Sequence, residues 1–202
     1  TQLSNWNQLT TQTAQLDFGY LSQHLVSLIS GIEGNGQRGK GDDLSDGSEV
    51  KSASCINAVD TPRWNNVNCG AKTTPEIIGK YKTMPYLFFV LLDTTKRGGN
   101  ILRCRIFCLR PNQDKNFRNV VFGWSKENDE KVRKNEKCKT NLQLHPPRWE
   151  KGMDNITTNT MGNLKLPMIY HAEQMDIPGI LVMETRLFQP DLIYKGLCES
   201  VS

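Results

Sequence analysis

The chain has 202 residues, of which 37% are hydrophobic and 23% are charged. This composition excludes a disordered or fibrous protein, and the length predicts one substantial hydrophobic core, which we interpret as a single domain over residues 1–202. The 25 Lys and Arg residues outnumber the 21 Asp and Glu residues, a mild positive balance that permits a nucleic-acid partner without requiring one.

Hydropathy gives no indication of a membrane or secreted protein. The longest apolar run, Tyr86 to Leu92, is shorter than the roughly 20 residues that a membrane helix needs, and no basic segment precedes an apolar one near Thr1. The six cysteines are irregularly spaced, which favours reduced thiols. We therefore expect a cytoplasmic protein with no membrane partner.

The first predicted element is an amphipathic helix between Leu9 and Gly31. Apolar residues recur there mostly every three to five positions, and Gly31 is suited to end the helix. The next segment, residues 31–41, contains five glycines together with Arg38 and Lys40. This composition predicts a flexible basic loop that can lie against phosphate.

A short acidic segment follows the loop. Asp46-Gly47 is a turn signal and predicts a tight hairpin between two strand-like arms, the second of which contains Glu49 and Lys51. Residues two apart on a strand share a face, so this carboxylate and ammonium share one small site, while Val50 points to the other side. An aspartate of the first arm would add a second carboxylate and create an oxygen-rich pocket suited to Mg²⁺.

Either Asp42 or Asp43 could supply that second carboxylate. If Asp43 faces the site, Leu44 faces the core; if Asp42 does, Asp43 is directed into the core and buries an unpaired charge, at a cost of several kcal/mol. Alternation therefore favours Asp43. A bulge would exchange the two, so Asp42 stays an alternative.

The pattern Asp-x5-Glu-x-Lys from Asp43 to Lys51 resembles the signature of the PD-(D/E)XK nuclease superfamily, which includes most type II restriction endonucleases. The order of elements around it is also similar: a helix with Gln23, a basic Gly-rich loop, the acidic hairpin and then a pair of strands. The resemblance covers Leu9 to Ala53 and, more loosely, the chain to Arg110. It implies an α/β (α+β) fold, with a restriction-endonuclease-like mixed β-sheet core flanked by helices.

The resemblance also implies roles for individual residues. Asp43 and Glu49 would hold Mg²⁺, and the backbone carbonyl of Val50 would add a ligand. Lys51 would orient or help to deprotonate the attacking water and contact the scissile phosphate. The predicted catalytic residues are thus Asp43, Glu49 and Lys51, and the predicted metal ligands are Asp43, Glu49, Val50 and, as the alternative, Asp42.

The rest of the chain yields further predicted elements. Met84 to Asp93 is apolar enough for a strand buried on both faces, paired antiparallel with Ile101 to Arg110. Ser125 to Lys139 is rich in both charges, which predicts a solvated helix without a strong apolar face. Two short strands are predicted at Leu164 to Tyr170 and Ile180 to Phe188.

Four cysteines, Cys55, Cys69, Cys104 and Cys108, raise the question of a zinc site. Their spacing lacks the short pair of a zinc knuckle, and Cys104 and Cys108 fall on one face of a predicted strand. We interpret them as buried core thiols, because free cysteine is among the most buried residue types. Zinc binding remains the alternative.

DNA contacts are predicted where basic or amide side chains occupy loops. Residues 61–66 and 145–149 each place Arg beside Trp on a Pro-stiffened loop, where side chains can reach base edges. The Gly-rich loop supplies candidates for phosphate contacts. The predicted DNA-binding residues are Arg38, Lys40, Arg63, Asn65 and Arg148.

Two functions from different classes are compatible with these patterns. The first is a Mg²⁺-dependent endonuclease for double-stranded DNA, a type II restriction enzyme that acts as a homodimer on a short palindromic site. The alternative is a non-catalytic or zinc-stabilised DNA-binding regulator, in which the acidic hairpin is only a turn. No nucleotide cofactor is expected in either, because no phosphate-binding glycine motif follows a strand.

Overall fold

The structure is a computed structural model that describes residues 9–10, 17–36, 41–56, 62–67, 74–94, 101–134, 141–146, 155–158, 163–177 and 180–187. Its helices are α1 (Phe18–Ser30), α2 (Thr74–Thr83) and α3 (Lys115–Arg133). Its strands are β1 (Glu49–Ala53), β2 (Trp64–Val67), β3 (Leu87–Thr94), β4 (Ile101–Leu109), β5 (Leu142–His145), β6 (Asn155–Thr158), β7 (Asn163–Lys165), β8 (Met168–Ile177) and β9 (Ile180–Leu187). No helix among these residues is long and apolar enough to cross a membrane.

The strands form two sheets within the described residues. The larger one is mixed, with five strands in the order β1-β3-β4-β8-β9: β1 runs parallel to β3, and the other neighbours are antiparallel. The smaller one is antiparallel, in the order β2-β5-β6-β7. A mixed sheet with helices confirms the predicted fold class, and it leaves β1 at a sheet edge.

The hydrophobic core lies on both faces of the larger sheet. Every residue of β3 is buried, as predicted from its unbroken apolar run. Because successive side chains point to opposite faces, Phe88 and Val90 pack with Val26 of α1, while Phe89 and Leu91 pack on the side of α2, α3 and the smaller sheet. The antiparallel pairing of β3 with β4 is also confirmed.

The ends of α1 follow from local chemistry. The Asp17 side chain accepts a hydrogen bond of 3.0 Å from the Tyr20 N–H at the first turn. Gly31 ends the helix with φ 71°, a left-handed conformation that glycine adopts without steric cost. The predicted C-cap is therefore confirmed.

The prediction for α3 was wrong at its start. The helix begins at Lys115, ten residues before the predicted Ser125, and Asp114 accepts a hydrogen bond of 2.8 Å from the Phe117 N–H. The earlier turns carry an apolar face, since Phe117 and Trp124 are buried in the core. The predicted range began at Ser125, in the charged half of the helix, and therefore did not include this face.

Both faces of β4 are buried, whereas the sequence indicated a core face only for the side with the cysteines. Cys104 and Cys108 lie in the cluster beneath α1, as expected for core thiols. Arg105 and Phe107, which alternate with them, are also fully buried because β4 lies between β3 and β8 and is covered on both sides.

The double variant Cys104→Ala and Cys108→Ala is expected to lower the free energy of unfolding by about 2–4 kcal/mol, because two buried side chains are shortened in a packed core. Denaturant unfolding monitored by circular dichroism would measure the loss. Metal analysis of both proteins is the control, because a tightly held zinc ion in the wild type that the variant lacks would contradict a purely apolar role.

Candidate active site

The turn at Asp46-Gly47 is present, but the predicted hairpin is only partly correct. Gly47 N–H donates to the Leu44 carbonyl at 3.1 Å, and Leu44 N–H donates to the Ser48 carbonyl at the same distance. The first arm is not a strand, because Leu44 forms a single bridge with Gly34. The physical reason is that β1 pairs with β3 along one edge, while on its other edge a side chain of the first arm accepts the backbone N–H of Val50.

That side chain is Asp43. One of its carboxylate oxygens accepts the backbone N–H of Val50 at 2.8 Å, and the other accepts a hydrogen bond of 2.6 Å from the Gln23 side chain of α1. Leu44 is fully buried in the core, whereas Asp42 is exposed. The alternation that the sequence indicated is thus the one observed, and Asp43 lies beside β1.

Glu49 and Lys51 leave β1 on the same face and form an ion pair. The second carboxylate oxygen of Glu49 accepts a hydrogen bond of 2.8 Å from Lys80 Nζ of α2. Glu49 is only 8% exposed, and the two ammonium groups compensate its buried negative charge. The Val50 side chain points to the opposite face and packs in the core beneath α1.

The two carboxylates differ in their electrostatic surroundings. Burial raises the pKa of Asp43, and the nearby charge of Glu49 raises it further, against the opposing hydrogen bond from Val50 N–H. Burial also opposes ionisation of Glu49, yet Lys51 and Lys80 together hold the pKa of Glu49 below its usual range. A bound cation would therefore stabilise the ionised form of Asp43 more than that of Glu49, which two ammonium groups already stabilise.

The donor set at this edge fits a hard divalent cation. Two carboxylates, Asp43 and Glu49, lie close enough that the charge of Glu49 raises the pKa of Asp43. In an extended strand the N–H and C=O of one residue point to the same side, so the Val50 carbonyl faces the edge where Asp43 lies. In the described part of the chain no three His, Cys, Asp or Glu side chains form a ligand group. One or two carboxylates with water ligands are the usual protein share for Mg²⁺.

Two of the predicted DNA-binding residues are on the surface. Arg63 and Asn65 are exposed, and the Asn65 side chain accepts a hydrogen bond of 3.0 Å from Gln143 on β5. Residues 64–66 belong to strand β2, which pairs with β5, rather than to the predicted loop. Trp64 is fully buried there, and its Nε1 donates to the Val90 carbonyl at 2.9 Å. The other three predicted DNA-binding residues, Arg38, Lys40 and Arg148, lie outside the described residues.

The cysteines that the structure describes do not meet at one point. Cys55 packs in the cluster on the α2 side of the larger sheet, and Cys104 and Cys108 pack in the cluster on the α1 side. All three are buried, reduced thiols, as predicted. Cys69 lies outside the described residues.

Sequence reasoning missed Lys80 and the contact of Gln23. Lys80 belongs to α2, a helix that was not predicted. Gln23 was placed on the right helix, but no rule of local spacing connects it with a carboxylate 20 residues later.

The mixed sheet, the flanking helices and the Asp-x5-Glu-x-Lys residues gathered at the edge strand define a restriction-endonuclease-like protein. Sequence comparisons give the particular family. The sequence profile described as MamI restriction endonuclease matches residues 5–184. The chain is also 35% identical over 201 residues to the "Type II restriction enzyme MamI" of Microbacterium ammoniaphilum, a similarity that covers 94% of this chain and 58% of that protein. This chain belongs to the MamI restriction endonuclease family.

The chain thus spans somewhat more than half the length of this relative. No solved structure matches it significantly.

Proposed function

We propose that this protein is a Mg²⁺-dependent endonuclease that hydrolyses phosphodiester bonds of double-stranded DNA at a specific site, as a type II restriction enzyme does. The observation that carries this proposal is the convergence of Asp43, Glu49 and Lys51 at the edge of β1, in a chain of this family. Acidic ligands and an ammonium in one small site are the groups that such a hydrolysis needs.

Each residue of the site has a distinct task in this proposal. Asp43, Glu49 and the Val50 carbonyl would hold Mg²⁺, which when bound supplies charge neutralisation at the phosphodiester and acidifies water. Lys51 binds the scissile phosphate and orients the attacking water, since its ammonium lies against a carboxylate of the same face. Gln23 orients Asp43 through its hydrogen bond of 2.6 Å.

The proposed partner is double-stranded DNA, bound by a homodimer in the cytoplasm. Arg63 and Asn65 are exposed on β2 and its entry, where a guanidinium and an amide can contact phosphates or base edges. We propose the same role for Arg38, Lys40 and Arg148. A two-fold dimer would read a palindromic site, because the symmetry of the protein matches that of the sequence.

Incubation of the protein with a mixture of plasmid DNAs and Mg²⁺ tests the proposal. We expect discrete fragments, and we expect them to disappear when a chelator removes the divalent cation. Sequencing of the fragment ends then tests the dimer, since a palindromic site supports two-fold binding and an asymmetric site contradicts it. Absence of cleavage on a broad set of DNAs, or cleavage unaffected by the chelator, would contradict the proposed activity.

A further inference from the structure

Glu49 has an ammonium partner that the Asp-x5-Glu-x-Lys pattern does not include. Lys51 contacts one carboxylate oxygen, and Lys80 Nζ lies 2.8 Å from the other. These partners come from different elements, since Lys51 is on β1 and Lys80 is in the last turn of α2. Both oxygens of a proposed metal ligand are therefore occupied by positive charges of the protein itself.

A divalent cation and an ammonium repel each other when they share one carboxylate oxygen. The repulsion is stronger in a largely buried site than at the surface, because solvent screens the charges less. Glu49 is such a site, being 8% exposed. A cation that binds Glu49 therefore competes with the two lysines for this carboxylate.

Lys80 is the lysine that can leave. Its side chain is 35% exposed, compared with 26% for Lys51, and its ammonium reaches Glu49 at the end of a flexible stem from a helix near the surface. Lys51 is held closer, because it is two residues from Glu49 on the same strand and face.

We propose that Lys80 exchanges its ion-pair partner, from Glu49 to a DNA phosphate, when a divalent cation binds the site. It holds Glu49 before a divalent cation binds, competes with that cation for the carboxylate, and binds a phosphate of the DNA once it is displaced. The inference rests on the proposed function, because it assumes a cation at Glu49. It makes Lys80 a positioning residue and a DNA contact, in addition to the residues that the sequence motif contains.

The competition is testable without catalysis. Free Mn²⁺ measured by electron paramagnetic resonance gives the cation affinity of the protein in the absence of DNA. Lys80→Gln is expected to tighten Mn²⁺ binding about fivefold or more, because a competing charge is removed from Glu49. Lys82→Gln is the matched control, since Lys82 is exposed two residues further along α2 and its loss changes the net charge equally. We expect the control to change the affinity less than about twofold.

The transfer to DNA is tested by the salt dependence of binding. With Ca²⁺ present, Lys80→Gln is expected to reduce the slope of log K against log salt by about 0.9, the loss of one phosphate contact. Without a divalent cation the slope should match that of the wild type, because Lys80 is then bound to Glu49. A reduced slope in both conditions, or in neither, would overturn the exchange.

Glu49→Gln separates this inference from the proposed function. If Glu49→Gln abolishes Mn²⁺ binding while Lys80→Gln leaves the affinity unchanged or weakens it, the exchange role is wrong and the metal site stands. If the wild type does not bind Mn²⁺, or if Glu49→Gln binds it normally, both proposals are wrong. A tighter Lys80→Gln together with an inactive Glu49→Gln supports both.

Discussion

Lys51→Ala is expected to slow DNA cleavage by about 10²- to 10⁴-fold, the range that a positioned proton-transfer group contributes. The loss should fall mainly on the chemical step, because the ammonium lies against Glu49 within the proposed site and contributes one phosphate contact at most to binding. Single-turnover cleavage at saturating protein and Mg²⁺ measures this step directly, and DNA affinity in Ca²⁺ measures binding separately.

Lys82→Ala is the control for the general loss of a positive charge. It should cleave at nearly the wild-type rate, since Lys82 is exposed on α2 and forms no part of the proposed site. Normal cleavage by Lys51→Ala at saturating protein, with weakened binding, would show that Lys51 serves only to bind DNA.

Asp43→Asn is expected to reduce cleavage by more than about 100-fold, the upper range for loss of a group that only supports a metal ligand. The substitution keeps the shape of the side chain and an oxygen that can still accept the Val50 N–H, so the local fold should persist. What it removes is the negative charge on which affinity for hard cations depends. Cleavage rates at increasing Mg²⁺ would show whether the defect lies in cation binding.

Asp42→Asn is the matched control, and it should leave cleavage close to the wild-type rate. Asp42 is exposed, and its neighbour carries the two hydrogen bonds that direct a carboxylate to β1. An active Asp43→Asn with an inactive Asp42→Asn would exchange their roles and leave the nuclease proposal intact. Full activity in both variants would remove the acidic partner of Glu49 and contradict the proposed site.

The parts of the site that local rules govern could be predicted from the sequence. Alternation along an extended chain placed Asp43 on the opposite side from Leu44, and it placed Glu49 with Lys51. The structure has both arrangements. The turn signal also held, because Gly47 adopts φ 89°, a conformation that few other residues accept.

The parts that depend on distant contacts could not be predicted. Lys80 reaches Glu49 across 31 residues through a helix whose buried residues, Ile77 and Tyr81, are too few to mark it clearly. The first arm was expected to pair with β1 as a strand, but β1 pairs with β3 along one edge, and on the other edge the Asp43 side chain accepts the Val50 N–H. Residue spacing reveals neither the Lys80–Glu49 contact nor the β1–β3 pairing, because both depend on how distant elements of the chain pack together.

Trp64 illustrates the same limit for the DNA-binding surface. An indole between Arg63 and Asn65, after a proline, has the composition of an exposed loop. Its Nε1–H finds the Val90 carbonyl, and its ring packs on Phe89, which compensates for burying a polar group. Trp64 is therefore held in strand β2, and the side chains on either side of it, Arg63 and Asn65, remain exposed.

The position of β1 at the border of the sheet has a consequence for solubility. An open strand edge offers backbone groups to any extended chain that approaches, and this is a common route to aggregation. At β1 the Val50 N–H is already satisfied by Asp43, and the adjoining Glu49 and Lys51 place charges beside the same edge. An intruding strand would have to displace a carboxylate and bury these charges. The acidic segment therefore opposes self-association at the border of the sheet that carries the proposed site.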